Sequence, residues 1–276
     1  MTALDVFAKL VASDQREIPL LESAAALALY ADPDCDPGGV TGTVRAWGER
    51  LARRVPPDAS NGNRLRLLNH FFFDELGFGP RDDEALGVDD SYLHRALARR
   101  TGLPITLSVL YLDIGRAIGL RLNGVSFPGH FLVRVQLADG ALMIDVYERG
   151  ATLSTEQLKA RLARIAPGDD GVQLRAYLQP ASERDILARM LRNLKFVHAE
   201  ASDWHGLLEV QQRLVALLPH AAEERRDRAA AFERLECPRA AAADLETYLK
   251  MRPRGTDVRR LRVRLSQLKA EAARLN

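Results

Sequence analysis

The sequence predicts an α+β domain, built from helices and a small antiparallel sheet, followed by an all-α helical module. Three observations predict it. Segments 122–127, 130–137 and 141–147 are short, rich in Val, Leu, Ile and Phe, and separated by Pro128-Gly129 and Asp139-Gly140, the pattern of strands divided by turns. Ahead of them, apolar residues recur at helical spacing. Beyond about residue 182 the chain reads as helix, and Pro219 and Pro253, 34 residues apart, each close an apolar helix. The boundaries are a first domain over residues 1–170, a linker over 171–182, and the helical module over 183–276.

The elements follow in order. Residues 4–30 are helical, dominated by Ala, Leu and Glu, with a break near Arg16–Pro19. Ala31–Gly39 is a loop punctuated by proline and glycine. A second helix is expected from about Val40 to Val55, stopped by Pro56-Pro57. A third covers Asn63–Leu76, with Gly77 as its C′ residue. It carries Phe71, Phe72 and Phe73, and three consecutive aromatics on a helix are not expected all to face inward. After a polar loop over Gly79–Val88, a helix begins near Ser91, with Asp89, Asp90 and Ser91 as candidate caps. Pro104 suits the first turn of the next helix, which Ile105, Val109, Leu112 and Ala117 mark as largely buried and Gly119 ends. Leu153–Ile165 is a helix opened by Thr152 or Ser154, with Glu156 nearby.

In the module, Trp204–Leu218 and Ala240–Met251 are the apolar helices. Leu207 matches Ala241 and Leu214 matches Tyr248 at the same 34-residue offset, and a helix–turn–helix period of that length is the tetratricopeptide signature. Lys195 stands where a small residue is expected. Trp204 reads as repeat packing. Ser202-Asp203 predicts a turn that separates His198 from His205.

Composition excludes several functions. The 276 residues are 47% hydrophobic and 28% charged, and 39 basic against 37 acidic side chains leave a formal charge of +2. That balance gives no whole-chain reason to expect nucleic acid or an anionic membrane. Locally, Arg259–Arg274 is basic, the pattern of a solvated helix face or of a contact with an acidic partner. The N-terminus does not read as a signal peptide, apolar stretches such as Ala24–Tyr30 are too short to span a bilayer, and a cytoplasmic location is expected. Cys35 and Cys237, 202 residues apart, suggest neither a disulfide framework nor a metal site. Gly77-Phe78-Gly79 lacks the lysine and spacing of a phosphate loop. No metal or other cofactor is expected.

Three stretches carry a family resemblance: Asp90–Leu107, Gly124–Arg134 and Ile144-Asp145, of which the Phe-Pro-Gly-His-Phe-Leu-Val-Arg run of 127–134 is the most specific. Together they resemble the SirB-type bacterial proteins, which join a transglutaminase-like domain to tetratricopeptide-like helices. Residues 186–195 and Asp227-Arg228 also fit, so the likeness spans nearly the whole chain. It implies a papain/transglutaminase-like fold for the first domain. In such enzymes a cysteine at a helix N-terminus attacks a carbonyl, a histidine on a strand takes its proton, and an aspartate on the next strand orients that histidine. The helix start favours the thiolate.

By this resemblance His130 takes the histidine place and Asp145 the aspartate place. The helix that would carry the nucleophile opens Pro104-Ile105-Thr106-Leu107, without a cysteine, and Thr106 and Ser108 are its nearest hydroxyls. The residual catalytic set is therefore His130, Asp145 and Thr106. A residual cleft would be lined by Pro104, Ile105, Ser91, Tyr92, Phe127 and Arg134. A two-residue turn at Asp139-Gly140 would set Arg134 opposite Asp145 as a cross-strand ion pair. It would leave His130 about 13 Å along the strand, so contact with Asp145 needs a longer turn or a bulge. The expected function is non-catalytic: a binding or regulatory protein with a protein or peptide partner, and no nucleic acid or membrane. The alternative is a hydrolase or acyltransferase using Thr106, Ser91 or Ser126 with His130 as base. A third reading leaves the first domain as a scaffold and gives all function to the repeats.

Overall fold

A computed structural model describes residues 1–12, 18–81, 87–138, 140–165, 174–251 and 257–274. The chain divides into two units, Gln15–Met190 and Met1–Asp14 with Leu191–Asn276. The first helix, α1 (Ala3–Val11), is closed by a capping box between Thr2 and Asp5 and buries Phe7 and Val11. It falls in the unit of the C-terminal helices, whereas the first domain expected over residues 1–170 includes it; an amphipathic stripe does not say which body it will cover.

The larger unit opens with α2 (Leu20–Ala26) and a 3-10 turn, Leu27–Tyr30. The next helix, α3 (Pro37–Ala52), starts earlier than expected because the Asp36 carboxylate accepts from Gly38 N at 2.9 Å and Pro37 fits the first turn. Ser60 caps α4 (Asn61–Asn69), which runs into a π-helical segment, His70–Glu75. Here the sequence expectation fails: Phe71, Phe72 and Phe73 are all buried, at 0%, 0% and 4% exposure. An i→i+5 turn places more residues in each revolution, so successive side chains fan through a narrower angle. Phe72 stacks on Phe78 at 4.5 Å and meets the edge of Tyr111, while the Arg50 guanidinium covers the Phe71 ring at 4.7 Å.

A 3-10 turn, Val88–Ser91, precedes α5 (Leu93–Arg99). Tyr92, not Asp89, Asp90 or Ser91, occupies the N-cap position of α5, and among the described residues no side chain caps it. The Asp90 carboxylate instead accepts from Gly87 N at 2.8 Å, closing its own short turn. Then comes α6 (Pro104–Ala117), with proline in its first turn as expected.

Four antiparallel strands follow in the order β1 (Leu122–Val125), β2 (Leu132–Leu137), β3 (Gly140–Asp145) and β4 (Ala151–Leu153). Asp139 lies outside the described residues. Gly140 is not a turn residue: it pairs with Leu137 in the ladder, so Arg134 stands opposite Met143 rather than Asp145. The register therefore differs from the expected one by two residues. Alternation places Leu122, Val133, Val135 and Ile144 on one face, and α6 covers it. Gly115 allows the close approach, since a Cβ there would collide with the Leu122 side chain. On the opposite face Val125, Phe127 and Leu132 pack with Leu158 and Leu162 of α7 (Thr155–Ile165) and Leu174 of α8 (Leu174–Tyr177). Burying each such leucine contributes about 1.5–3 kcal/mol. The cap of α7 is Ser154 with Gln157, not Glu156: Ser154 Oγ accepts from Gln157 N at 3.2 Å, and Ser154 N donates to Gln157 Oε1 at 2.8 Å.

The division between units falls within α9 (Glu183–Glu200). The smaller unit continues through α10 (Trp204–Leu217), α11 (Ala222–Arg234), α12 (Pro238–Lys250) and α13 (Val258–Arg274). Helices α10 and α12 begin 34 residues apart, and the matched residues Leu207, Leu214, Ala241 and Tyr248 are all buried. Pro253 lies outside the described residues. Ala229, Ala241 and Ala242 keep α11 and α12 close around Leu245 and Leu268. Lys195 is tolerated because its stem is covered while its ammonium reaches Asp227 at 2.5 Å and Glu224 at 3.6 Å. Ser202 adopts a left-handed conformation and Asp203 caps α10 through Gly206 N, so His198 and His205 lie on different helices.

Candidate functional site

Turn geometry brings His130 into place. Gly129 takes a positive φ of 66°, and His130 N donates to Phe127 O at 3.1 Å. Arg189 donates to the same carbonyl at 2.9 Å and lies over the Phe131 ring. Asp145 ends β3. Its Oδ1 accepts from the backbone N–H groups of Tyr147 and Glu148 at 3.1 and 3.2 Å. His130 Nε2 and Asp145 Oδ1 are 2.8 Å apart, and Arg161 of α7 donates to Asp145 Oδ2 at 2.8 Å. The observed register explains the contact. Val133 faces Ile144, so Leu132 stands across from Asp145, and His130 is only two residues further along.

Asp145 is fully buried, while His130 is about 20% exposed. Burial alone would raise the Asp145 pKa. The hydrogen bond and charge of His130, the Arg161 guanidinium and the Glu148 N–H outweigh it and hold the carboxyl below its ordinary value. A carboxylate at Nε2 favours the tautomer that leaves Nδ1 as the acceptor, and among the described residues no hydrogen bond engages Nδ1. The Tyr147 ring stands edge-on at 6.5 Å. Chemically this is an oriented imidazole able to accept a proton.

The start of α6 is built differently. Thr106 is fully buried and its hydroxyl donates to Asp90 O at 2.9 Å. Leu103 N donates to the same carbonyl at 3.0 Å, and Ser108 donates to Pro104 O at 2.7 Å. The Asp90 carboxylate is held by Arg81 at 2.7 Å. Ser91 is buried, and among the described residues its hydroxyl has no partner. Tyr92, Ile105 and Phe127 are exposed by 2% or less, and the Tyr92 hydroxyl meets that of Tyr30 at 2.7 Å. These residues wall the core rather than an open groove. Of the six expected lining residues, only Pro104 and Arg134 keep part of their surface. Cys35 sits in the loop before α3, its thiol pKa pushed up by burial and by Asp32 and Asp36. Cys237 is exposed at the N-cap of α12.

No motif in the sequence marks Arg161, Arg189 or the Tyr147 and Glu148 amides as part of the site. One signal existed: Arg161 lies beside the Leu158/Leu162 stripe of an amphipathic helix, where a cation flanking the buried face can reach the sheet it covers. Among the described residues no group of three His, Cys, Asp or Glu side chains is placed to hold a metal ion, and no helix is long and apolar enough to cross a membrane.

Residues 40–192 match the family model of the transglutaminase-like superfamily, and residues 194–266 match that of the tetratricopeptide repeat. The chain belongs to the transglutaminase-like superfamily. Within it, this protein is of the SirB type. A UPF0162 protein of Xylella fastidiosa (strain 9a5c) is 33% identical over 270 residues, covering 97% of this chain and 96% of the relative. Protein SirB1 of Salmonella typhimurium is 26% identical over 195 residues, covering 70% of this chain and 72% of that protein. F-box only protein 21 of Homo sapiens is 37% identical over 138 residues, which are 47% of this chain but 21% of that larger protein.

Proposed function

We propose that this transglutaminase-like protein is a cytoplasmic binding or regulatory module that recognises a protein or peptide and carries out no acyl transfer. One observation carries the reading: the hydroxyl at the start of α6 is fully buried and spent on the Asp90 carbonyl. A hydroxyl without a base is a poor nucleophile, and the imidazole's hydrogen-bonding partner is a carboxylate. The tetratricopeptide-like helices supply the recognition surface, as stacked helical repeats commonly do.

The test has two arms. The full chain is incubated with ester, thioester and glutamine-amide reporters beside His130→Gln, and both are expected to match the uncatalysed background. Affinity capture from lysate with the same two proteins is expected to retain one partner at comparable yield. Reporter turnover that disappears in His130→Gln would overturn the reading in favour of a hydrolase.

A further inference from the structure

We infer that the outer face of α13 docks an acidic, amphipathic segment of a partner protein, with Arg259 and Arg260 as its cationic rim and Val263 as its apolar anchor. This rests on the proposed binding role and names the chemistry of the partner. The inner stripe of α13, Leu261, Leu265 and Leu268, packs on the α11/α12 core. One helical turn apart on the outer side lie Arg259, Val263 and Gln267, all exposed. Val263 is 58% exposed, unusual for a large aliphatic residue in this protein. These residues line an open recess of about 710 Å³ together with Arg260, Leu261 and Arg264.

Only some of the charges on and around α13 are balanced. Arg264 is committed to Glu233 and Glu271, Arg228 to Asp244, and Lys269 to Glu246. Among the described residues Arg259 and Arg260 form no ion pair. An arginine fork matches a carboxylate in two parallel hydrogen bonds, and an aliphatic contact between such pairs gives the register that charge alone lacks. Nucleic acid fits less well. Its affinity comes from many phosphate contacts, whereas this recess offers two unpaired arginines on a chain of net charge +2.

The probe is a labelled synthetic helical peptide carrying Glu and Leu on one face, titrated with the full chain by fluorescence polarisation. Arg259→Glu with Arg260→Glu is expected to weaken binding about tenfold or more. Val263→Ser is expected to weaken it about threefold to tenfold, an effect that persists at raised salt. Arg262→Glu reverses a single exposed arginine outside the recess and is expected to leave binding unchanged. Far-ultraviolet circular dichroism of each variant checks that the helices persist. Any of these results overturns the inference: Arg262→Glu as damaging as the pair, tighter competition by duplex DNA or anionic vesicles, or self-association that the paired reversal abolishes. If lysate capture survives the paired reversal, this docking site falls while the binding function stands; if no variant and no native chain captures a partner, the binding function itself falls.

Discussion

Asp90 and Asp145 are both buried carboxylates gripped by an arginine, yet they are put to different uses. Asp90 binds Arg81 and Gly87 N through its side chain, while its carbonyl takes Leu103 N and the Thr106 hydroxyl. Each of these links closes a loop or fixes a helix start. Asp145 binds Arg161 and the Tyr147 and Glu148 amides, and then adds His130, whose ring reaches solvent. The same local chemistry therefore locks structure in one place and orients a proton acceptor in the other. The hydroxyl nearest the expected nucleophile position belongs to the first network, not the second.

Deleting each carboxylate strains the comparison hardest. Asp145→Ala leaves a guanidinium, two amides and an imidazole without their acceptor, and is expected to cost about 3–5 kcal/mol. Asp90→Ala removes the acceptor of Gly87 N and one partner of the partly exposed Arg81, and is expected to cost about 2–3 kcal/mol. Urea denaturation of both variants measures the difference, and equal losses would erase the distinction. Acid sharpens it next. The folded Asp145 carboxyl titrates below its ordinary value of 3.8, so the unfolded chain takes up the proton first. Its contribution is complete above that ordinary value and is lost as pH falls below it through the folded pKa. Asp145→Asn is expected to flatten the stability profile in that acidic window, read as urea midpoints against pH; a profile that keeps the native slope would show that other carboxylates carry it.

Much of this was legible in the residues. The strands, Pro104 at a helix start and the 34-residue spacing followed from turn residues and apolar periodicity, and the family resemblance put His130 and Asp145 in one site. Other features depend on information that sequence pattern does not hold. The hairpin register turned on whether Gly140 lies in the turn or in the ladder, and a shift of two residues keeps every side chain on the same face. No alternation argument separates those registers, although one lets His130 reach Asp145 and the other does not. The burial of Phe71, Phe72 and Phe73 depended on a π-helical turn, which leaves no compositional mark. Arg161 reaches Asp145 only because α7 crosses the sheet at that point, a tertiary fact. Ser91, Tyr92 and Ile105 lie where the resemblance suggested a cleft, but their burial makes that region part of the core.

The smallest expected effect is the most direct test of the division between the two networks. Thr106→Val is nearly isosteric and removes one hydrogen bond from a carbonyl that keeps Leu103 N, so about 1 kcal/mol is expected. His130→Ala removes a partly exposed ring from a carboxylate that keeps Arg161 and two amides, with a similar or smaller loss. If the hydroxyl and the imidazole serve different networks, these losses add in the double variant to within about 0.3–0.5 kcal/mol. A nucleophile and its base would instead be coupled, because each would alter the other's hydrogen bonding. Coupling well above that margin in a double-mutant cycle would join Thr106 and His130 in one site, and with it restore the case for a hydroxyl-dependent enzyme.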